Sequence, residues 1–362
     1  MNREKKQHDA ENALLLAIET SCDDSAAALV TQQGNVPADV VLSQTQAHAP
    51  YQGIVPEIAS RCHLVQIVRV VRQAFQQANR RADDVTHVAV TCAPGLIGSL
   101  LVGAQFAKGF AQARGIPLIG VHHIEGHIAA SRAQADYPNP PFIALIASGG
   151  HSALYACRAP FQFQTLGRTR DDAAGEAFDK AAKMLGLGYP GGQVVDRLAK
   201  GGDPNRFPFP AALPDKRTLD YSFSGLKTAV RNQVIAIKQT AGHVTPTVQR
   251  DLCASVRAAI VRALLDKALL ACAQTGIRSL VLGGGVAANS LLRDQAVKRT
   301  RQAGIALCLP PRQHCTDNAV MIAHAARARL QAGFTSSLAV PVRATLPLEE
   351  TGAVLYGRHL SL

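Results

Sequence analysis

The chain contains no uninterrupted apolar run of the ~20 residues that a membrane-spanning helix requires, which excludes a transmembrane reading. Its first dozen residues, MNREKKQHDAEN, are polar and lack an apolar h-region, so residues 1–12 read as a disordered extension and not as a secretory signal. The 8 cysteines include no C-x-x-C pair. That argues against a zinc ribbon or a disulfide framework and for reduced, buried thiols in a cytoplasmic protein. No G-x-x-x-x-G-K-[ST] phosphate loop and no H-E-x-x-H string occurs, and the one dense glycine cluster, Gly283-Gly284-Gly285, lacks G-x-G-x-x-G spacing.

What is present starts with 362 residues, too many for one core of the usual ~100–200 residues, so two domains are expected. Hydrophobic residues at 47% and charged residues at 18% describe a globular chain. The net charge is +12, and residues 211–330 hold 17 Lys/Arg against 6 Asp and no Glu. A basic face of that kind suits a phosphate backbone.

Residues 14–18 read as a strand, followed by the polar turn Glu19-Thr20-Ser21-Cys22-Asp23-Asp24-Ser25 and a second strand over 26–30. Apolar residues at helical spacing over 58–80, a strand over 85–91, and a helix opened by Pro94-Gly95 follow. The same order then recurs: a strand over 141–146, the tight turn Ser148-Gly149-Gly150-His151, a returning strand, several helices, a strand over 279–282, the triple glycine and a further helix. Two related α/β domains facing each other across a cleft are expected, over 13–138 and 139–348, with a C-terminal tail over 349–362.

The string Val121-His122-His123-Ile124-Glu125-Gly126-His127 follows an apolar strand. On a helix starting near Ile124, His123 and His127 lie four residues apart on one face, the spacing that lets two imidazoles hold one metal ion. Two imidazoles leave such a site incomplete. Asp317, where a late strand gives way to a helix, offers a hard oxygen ligand from the back half of the chain, across the interdomain gap. Glu125 is second rather than first after His123, so its spacing does not support a hydrolytic base.

Asp172 is expected to cap a helix beginning near Ala173. Asp179, two turns in and flanked by Ala177, Phe178 and Ala181, reads as an inward acid that accepts from ribose hydroxyls. Asp196 places another acceptor one turn after Gly192. Asn289 either packs locally at a helix start or reads an adenine edge.

Taken together, IETSCDDSAAALV (18–30), GIVPEIASRCH (53–63), PGLIGSLLVG (94–103), VHHIEGH (121–127), SGGHSAL (148–154), DDAAGEAFDKAAKMLGLGYPGG (171–192), YSFSGLKTA (221–229), GGGVAANSLLR (283–293) and CTDNAVMIA (315–323) closely resemble the tRNA N(6)-adenosine threonylcarbamoyltransferase family, TsaD-type, earlier described as O-sialoglycoprotein endopeptidases. The resemblance implies a duplicated actin/Hsp70/sugar-kinase-like two-domain fold. It implies one divalent metal ion per subunit, iron with zinc as the alternative, on His123, His127 and Asp317. It also implies a nucleotide-moiety site using Ile146, Ala147, Ser148, Gly149, Gly150, Asp179, Gly192, Asp196 and Asn289, and a catalytic or orienting carboxylate at Asp23. The implied reaction moves a threonylcarbamoyl group from threonylcarbamoyl-AMP to adenosine 37 of tRNAs reading codons that begin with A, releasing AMP. The implied partners are tRNA, a TsaB-like pseudo-paralogue and a TsaE-like ATPase, in the cytoplasm.

Overall fold

The computed structural model describes residues 13–210, 213, 215 and 217–357, so the extension expected over 1–12 and the end of the expected tail lie outside the described residues. The chain forms two compact units, one of Met1–Ala135 together with Asp317–Leu362, the other of Asp136–Thr316.

The first unit is built on a five-stranded sheet in the order β3-β2-β1-β4-β5. The strands are β1 (Leu14–Glu19), β2 (Asp24–Thr31), β3 (Ala38–Ser43), β4 (Val85–Ala93) and β5 (Leu118–His122). β1 runs antiparallel to β2 and parallel to β4. Its residues alternate between two cores: Leu14, Leu16 and Ile18 face one, Leu15 and Ala17 the other. A strand covered on both faces needs a continuous apolar run, which is what LLLAI supplies. Helices α1 (Pro56–Ala78) and α2 (Ile97–Arg114) serve the first face, and β5 runs directly into the short helix α3 (His123–Ala129).

The second unit repeats this plan, with β6 (Phe142–Ala147), β7 (Ser152–Ala159), β8 (Gln162–Arg168), β9 (Ser279–Gly283) and β10 (Ala306–Cys308) in the order β10-β9-β6-β7-β8. β6 is antiparallel to β7 and parallel to β9, as β1 is to β2 and β4. Its helices are α4 (Ala174–Met184), α5 (Gly191–Ala199), α6 (Ser224–Ala241), α7 (Pro246–Thr275) and α8 (Ser290–Ala303).

One contact makes the duplication concrete. A Cβ on Gly95, after β4, would lie 2.5 Å from the Ser21 carbonyl oxygen; one on Gly284, after β9, would lie 2.4 Å from that of Ala147. In each unit a glycine lets the chain press against the turn that ends the first strand.

The chain then returns to the first unit through α9 (Ala319–Gln331) and α10 (Thr351–Tyr356). This corrects the expected division, in which 139–348 formed one domain. α9 is apolar around most of its circumference, and Val320, Met321, Ile322 and Ala323 are fully buried against the second face of the β1–β2 sheet. The first unit gives it that cover. The expected tail over 349–362 is likewise corrected where it is described: Leu355 is buried and Tyr356 Oη donates to the Gly120 carbonyl at 2.6 Å.

Candidate metal centre and nucleotide-binding turn

α3 begins one residue earlier than its spacing suggests, because His122 is its cap. His122 Nδ1 accepts from the Ile124 N–H at 3.2 Å, while Nε2 lies 2.9 Å from the Leu346 carbonyl, to which it donates. The next turn brings His123 and His127 edge to face, ring centroids 4.6 Å apart at 76°. Asp317 Oδ1 lies 3.6 Å from His123 Nε2 and 3.2 Å from His127 Nε2. The three ligand atoms fall within 4.8 Å of one another. Asp317 therefore joins the histidines inside the first unit, not from the other side of an interdomain gap; it precedes Asn318, whose Oδ1 caps α9 by accepting the Met321 N–H at 2.9 Å.

The donor set fits a transition ion. His127 is fully buried, and its ring nitrogens have no hydrogen bond beyond the 3.2 Å approach of Nε2 to Asp317 Oδ1. A buried imidazole with no hydrogen-bond partner calls for another kind of partner. His123 is oriented through its other nitrogen. Nδ1 lies 3.2 Å from Glu19 Oε2 and 3.0 Å from Ser21 Oγ, which turns Nε2 toward Asp317. Glu19 is itself fully buried and held by the Thr91 hydroxyl at 2.6 Å and the Ser21 N–H at 2.5 Å.

Charge follows this geometry. Burial opposes a proton on His123, but Asp317 and Glu19 outweigh it and lift the ring to about 9. Burial and then the neighbouring His123 hold His127 below its usual value. Burial would raise the Glu19 carboxyl, yet His123 outweighs it and keeps Glu19 below the ordinary range. Asp23 and Asp24 occupy the turn into β2. Burial first, then Asp317, raises Asp23; burial first, then Asp23 and Asp317, raises Asp24 to about 7.

Glu125, between the two histidines, is spent elsewhere. Its carboxylate receives Arg329 Nε and one terminal nitrogen at 2.8 Å each, and both side chains are almost wholly buried. The pair ties α3 to α9, and Gly126 lets the helices close, since a Cβ there would come 2.8 Å from Ile322.

In the second unit, Ile146 and Ala147 end β6, and Ser148, Gly149 and Gly150 form the turn into β7. Added Cβ atoms on Gly149 and Gly150 would meet nothing within 4 Å, whereas one on Gly175 would lie 2.6 Å from the Ser148 carbonyl. The turn is packed from behind and open in front. Asp179 Oδ1 accepts the N–H groups of Gly191 at 2.8 Å and Gly192 at 3.3 Å, holding the start of α5. Asp196 binds Arg257 at 2.9 Å, the Ser290 hydroxyl at 2.9 Å and the Ser290 N–H at 3.2 Å, tying α5, α7 and α8 together. Asn289 takes the local role: its Oδ1 caps α8 by accepting the Leu292 N–H at 3.1 Å.

Two sequence expectations change here. Asp172 does not cap α4; Ala173 occupies the cap, and Asp172 pairs with Lys180 at 2.6 Å, while Asp171 accepts the Phe223 and Ser224 N–H groups at the start of α6. The basic face is also thinner than its count, because Arg257, Lys267 and Arg329 are buried and 317–330 belong to the first unit. Glu19, Thr91, His122 and Arg329 were not legible as site residues. The one available signal was Glu19 itself, an acid closing a strand buried on both faces, which needs a partner.

The family described as TsaD, tRNA N6-adenosine threonylcarbamoyltransferase, matches residues 35–324. Over 348 residues the chain is 48% identical to the tRNA N6-adenosine threonylcarbamoyltransferase of Sorangium cellulosum (strain So ce56), covering 92% of this chain and 97% of that protein. The chain belongs to the tRNA N6-adenosine threonylcarbamoyltransferase family. It is also 46% identical over 343 residues to the tRNA N6-adenosine threonylcarbamoyltransferase of Syntrophus aciditrophicus (strain SB), covering 94% of this chain and 99% of that protein. Membership makes it a transferase that places a threonylcarbamoyl group on adenosine 37 of tRNA. The fold is similar to full-length HypF in its phosphate- and nucleotide-bound form, with a TM-score of 0.56 at 15% identity, over 88% of this chain and 46% of that one. That likeness places the two sheets in the actin/Hsp70/sugar-kinase class.

Proposed function

We propose that the protein takes the threonylcarbamoyl group from threonylcarbamoyl-AMP, and that one divalent ion per subunit, iron with zinc as the alternative, is held by His123, His127 and Asp317. The observation that carries this reading is the two-imidazole, one-carboxylate group, with Glu19 orienting His123 from behind. Two histidines and one acid leave positions open on a transition ion, a set used by iron. A bound ion supplies Lewis acidity that polarises an oxygen of the substrate.

The protein's own groups do the rest. The donor is a mixed anhydride and already activated, so positioning and charge neutralisation dominate. The adenosine N6 attacks the carbamoyl carbon, the bond to the phosphate oxygen breaks, AMP departs, and the amine proton passes to an acceptor. Asp23, whose carboxyl is raised by burial and by Asp317, serves as the orienting or proton-accepting carboxylate. The nucleotide moiety lies on the turn formed by Ile146, Ala147, Ser148, Gly149 and Gly150. There the bare glycines give a phosphate close access to backbone N–H groups. Asp179 sets Gly192, and Asp196 sets the Ser290 end of the loop that carries Asn289.

Lys227, Arg231 and Lys238, all exposed on α6, suit the tRNA backbone. The outer face of α1 and α2 suits a TsaB-like subunit, because Leu64, Val65, Val68, Ile97 and Leu101 are 68%, 80%, 51%, 47% and 42% exposed. A TsaE-like ATPase and a cytoplasmic location complete the reading.

The test uses the full chain with its partner proteins, tRNA and preformed threonylcarbamoyl-AMP, read by nucleoside mass spectrometry and by metal content. His123→Ala and Asp317→Ala are expected to lose both the bound ion and transfer. Full transfer in both variants refutes the metal assignment.

A further inference from the structure

The turn from β1 into β2 is clamped carbonyl by carbonyl. The Ser21 carbonyl accepts the Leu96 N–H at 2.8 Å, and that of Asp23 accepts the Gln44 N–H at 3.1 Å. Between them the Cys22 carbonyl lies 3.0 Å from His63 Nε2. Two of the three clamps are backbone groups of neighbouring loops. The third is a side chain, fully buried, delivered from α1.

The protonation of His63 follows from its neighbours. Nε2 faces a carbonyl, which can only accept, so Nε2 carries the hydrogen. Nδ1 lies 2.7 Å from Ser25 Oγ, and burial holds the ring below its usual pKa, so the ring is neutral and Nδ1 accepts from Ser25. Ser25 Oγ also lies 2.8 Å from Gln66 Oε1, one turn along α1; with its one hydrogen given to His63 Nδ1, the Gln66 amide is to be turned over so that its NH2 donates to Ser25. Both ends of the turn, Cys22 and Ser25, are thereby fastened to one imidazole.

We propose that His63 is a positioning residue for the transfer reaction, acting by fixing the Cys22–Ser25 turn and with it the carboxylates of Asp23 and Asp24. The inference rests on the reading that this acidic turn serves the reaction. His63 is not one of the proposed metal ligands; it holds the backbone from which Asp23 projects. It also sits next to Leu64 and Val65, the most exposed apolar residues of α1, so one rigid helix carries the outer apolar face and the inner clamp.

His63→Leu removes both hydrogen bonds at similar volume, whereas the amide of His63→Gln can still donate to the Cys22 carbonyl. In the full complex, His63→Leu is expected to lower kcat roughly 10- to 100-fold, the cost of a displacement of about 1 Å at a reacting group. KM for tRNA and bound metal are expected to stay at wild-type values, and His63→Gln to recover most of the loss. A wild-type kcat for His63→Leu overturns the proposal. So does an equal loss in both variants that merely tracks their thermal midpoints. Asp23→Ala and Asp24→Ala, run in parallel, separate the two levels. Wild-type rates in both sink the reading of the turn, whereas impaired carboxylate variants beside an unimpaired His63→Leu sink His63 alone.

Discussion

Arg329→Met is the sharpest test of how the helix carrying the proposed metal ligands is held. Arg329 and Glu125 have side chains only 1% and 5% exposed and meet through two contacts of 2.8 Å. Removing the guanidinium leaves a carboxylate in a place water cannot reach, and breaking such a pair from one side costs about 3–5 kcal/mol. The guanidinium also lies 5.3 Å from the Phe334 ring centroid and 4.9 Å from that of Tyr356. These contacts add roughly 0.5–2 kcal/mol each to what is lost. Adding Glu125→Leu should return most of the stability, since a hydrophobic replacement of both partners is often neutral. Denaturant unfolding of the wild type, both single variants and the double variant closes the cycle, with bound metal measured on each. The α3 helix carries His123 and His127 on either side of Glu125, so metal retention should fall in Arg329→Met and recover in the pair. A loss under about 1 kcal/mol, or a double variant as unstable as the sum of the singles, refutes the account.

Three further outcomes are expected. Glu19→Gln should weaken metal affinity about 10- to 100-fold while the fold persists, because only the orientation of His123 is disturbed; isothermal titration of stripped protein reads this, and unchanged affinity counts against it. Asp24 titrates near 7 in the folded chain against 3.8 as its ordinary value. Between those values the native state binds more protons than the unfolded one, so its contribution makes stability fall as pH rises and then level off above about 7. Asp24→Asn should thus be more stable than wild type at pH 8 and equal to it near pH 4, measured on metal-stripped protein; a gain independent of pH removes the explanation. Leu64→Glu combined with Val65→Glu should abolish co-elution with a TsaB-like subunit while leaving bound metal unchanged, and retained co-elution moves the docking face elsewhere.

Much of the site was readable because its chemistry is local. The i, i+4 histidines follow from helical spacing, and the strand, turn and glycine order announces the duplicated sheets. What escaped depends on contacts distant in the chain. Glu19 meets His123 across 104 positions, and Arg329 meets Glu125 across 204; no periodicity connects them. The return of α9 to the first unit was hidden for the same reason. An apolar helix states that it must be buried, but not under which sheet. Asp196 and Asn289 were identifiable as polar groups near glycine turns, yet only the packing of α5 against α7 and α8 reveals that their oxygens already hold Arg257, Ser290 and Leu292.

The return of the chain at Asp317 has a consequence for biosynthesis. The histidines leave the ribosome early, but their carboxylate partner follows only after all of Asp136–Thr316 has been made. At about 5–20 residues per second that delay is roughly 10–40 s. During it the β1–β5 sheet lacks the helix that covers one face, and a nascent chain has the two imidazoles without Asp317, the carboxylate proposed to complete their ion site. On the proposed metal assignment loading is a late event, and a chain stalled before Asp317 should emerge without the ion.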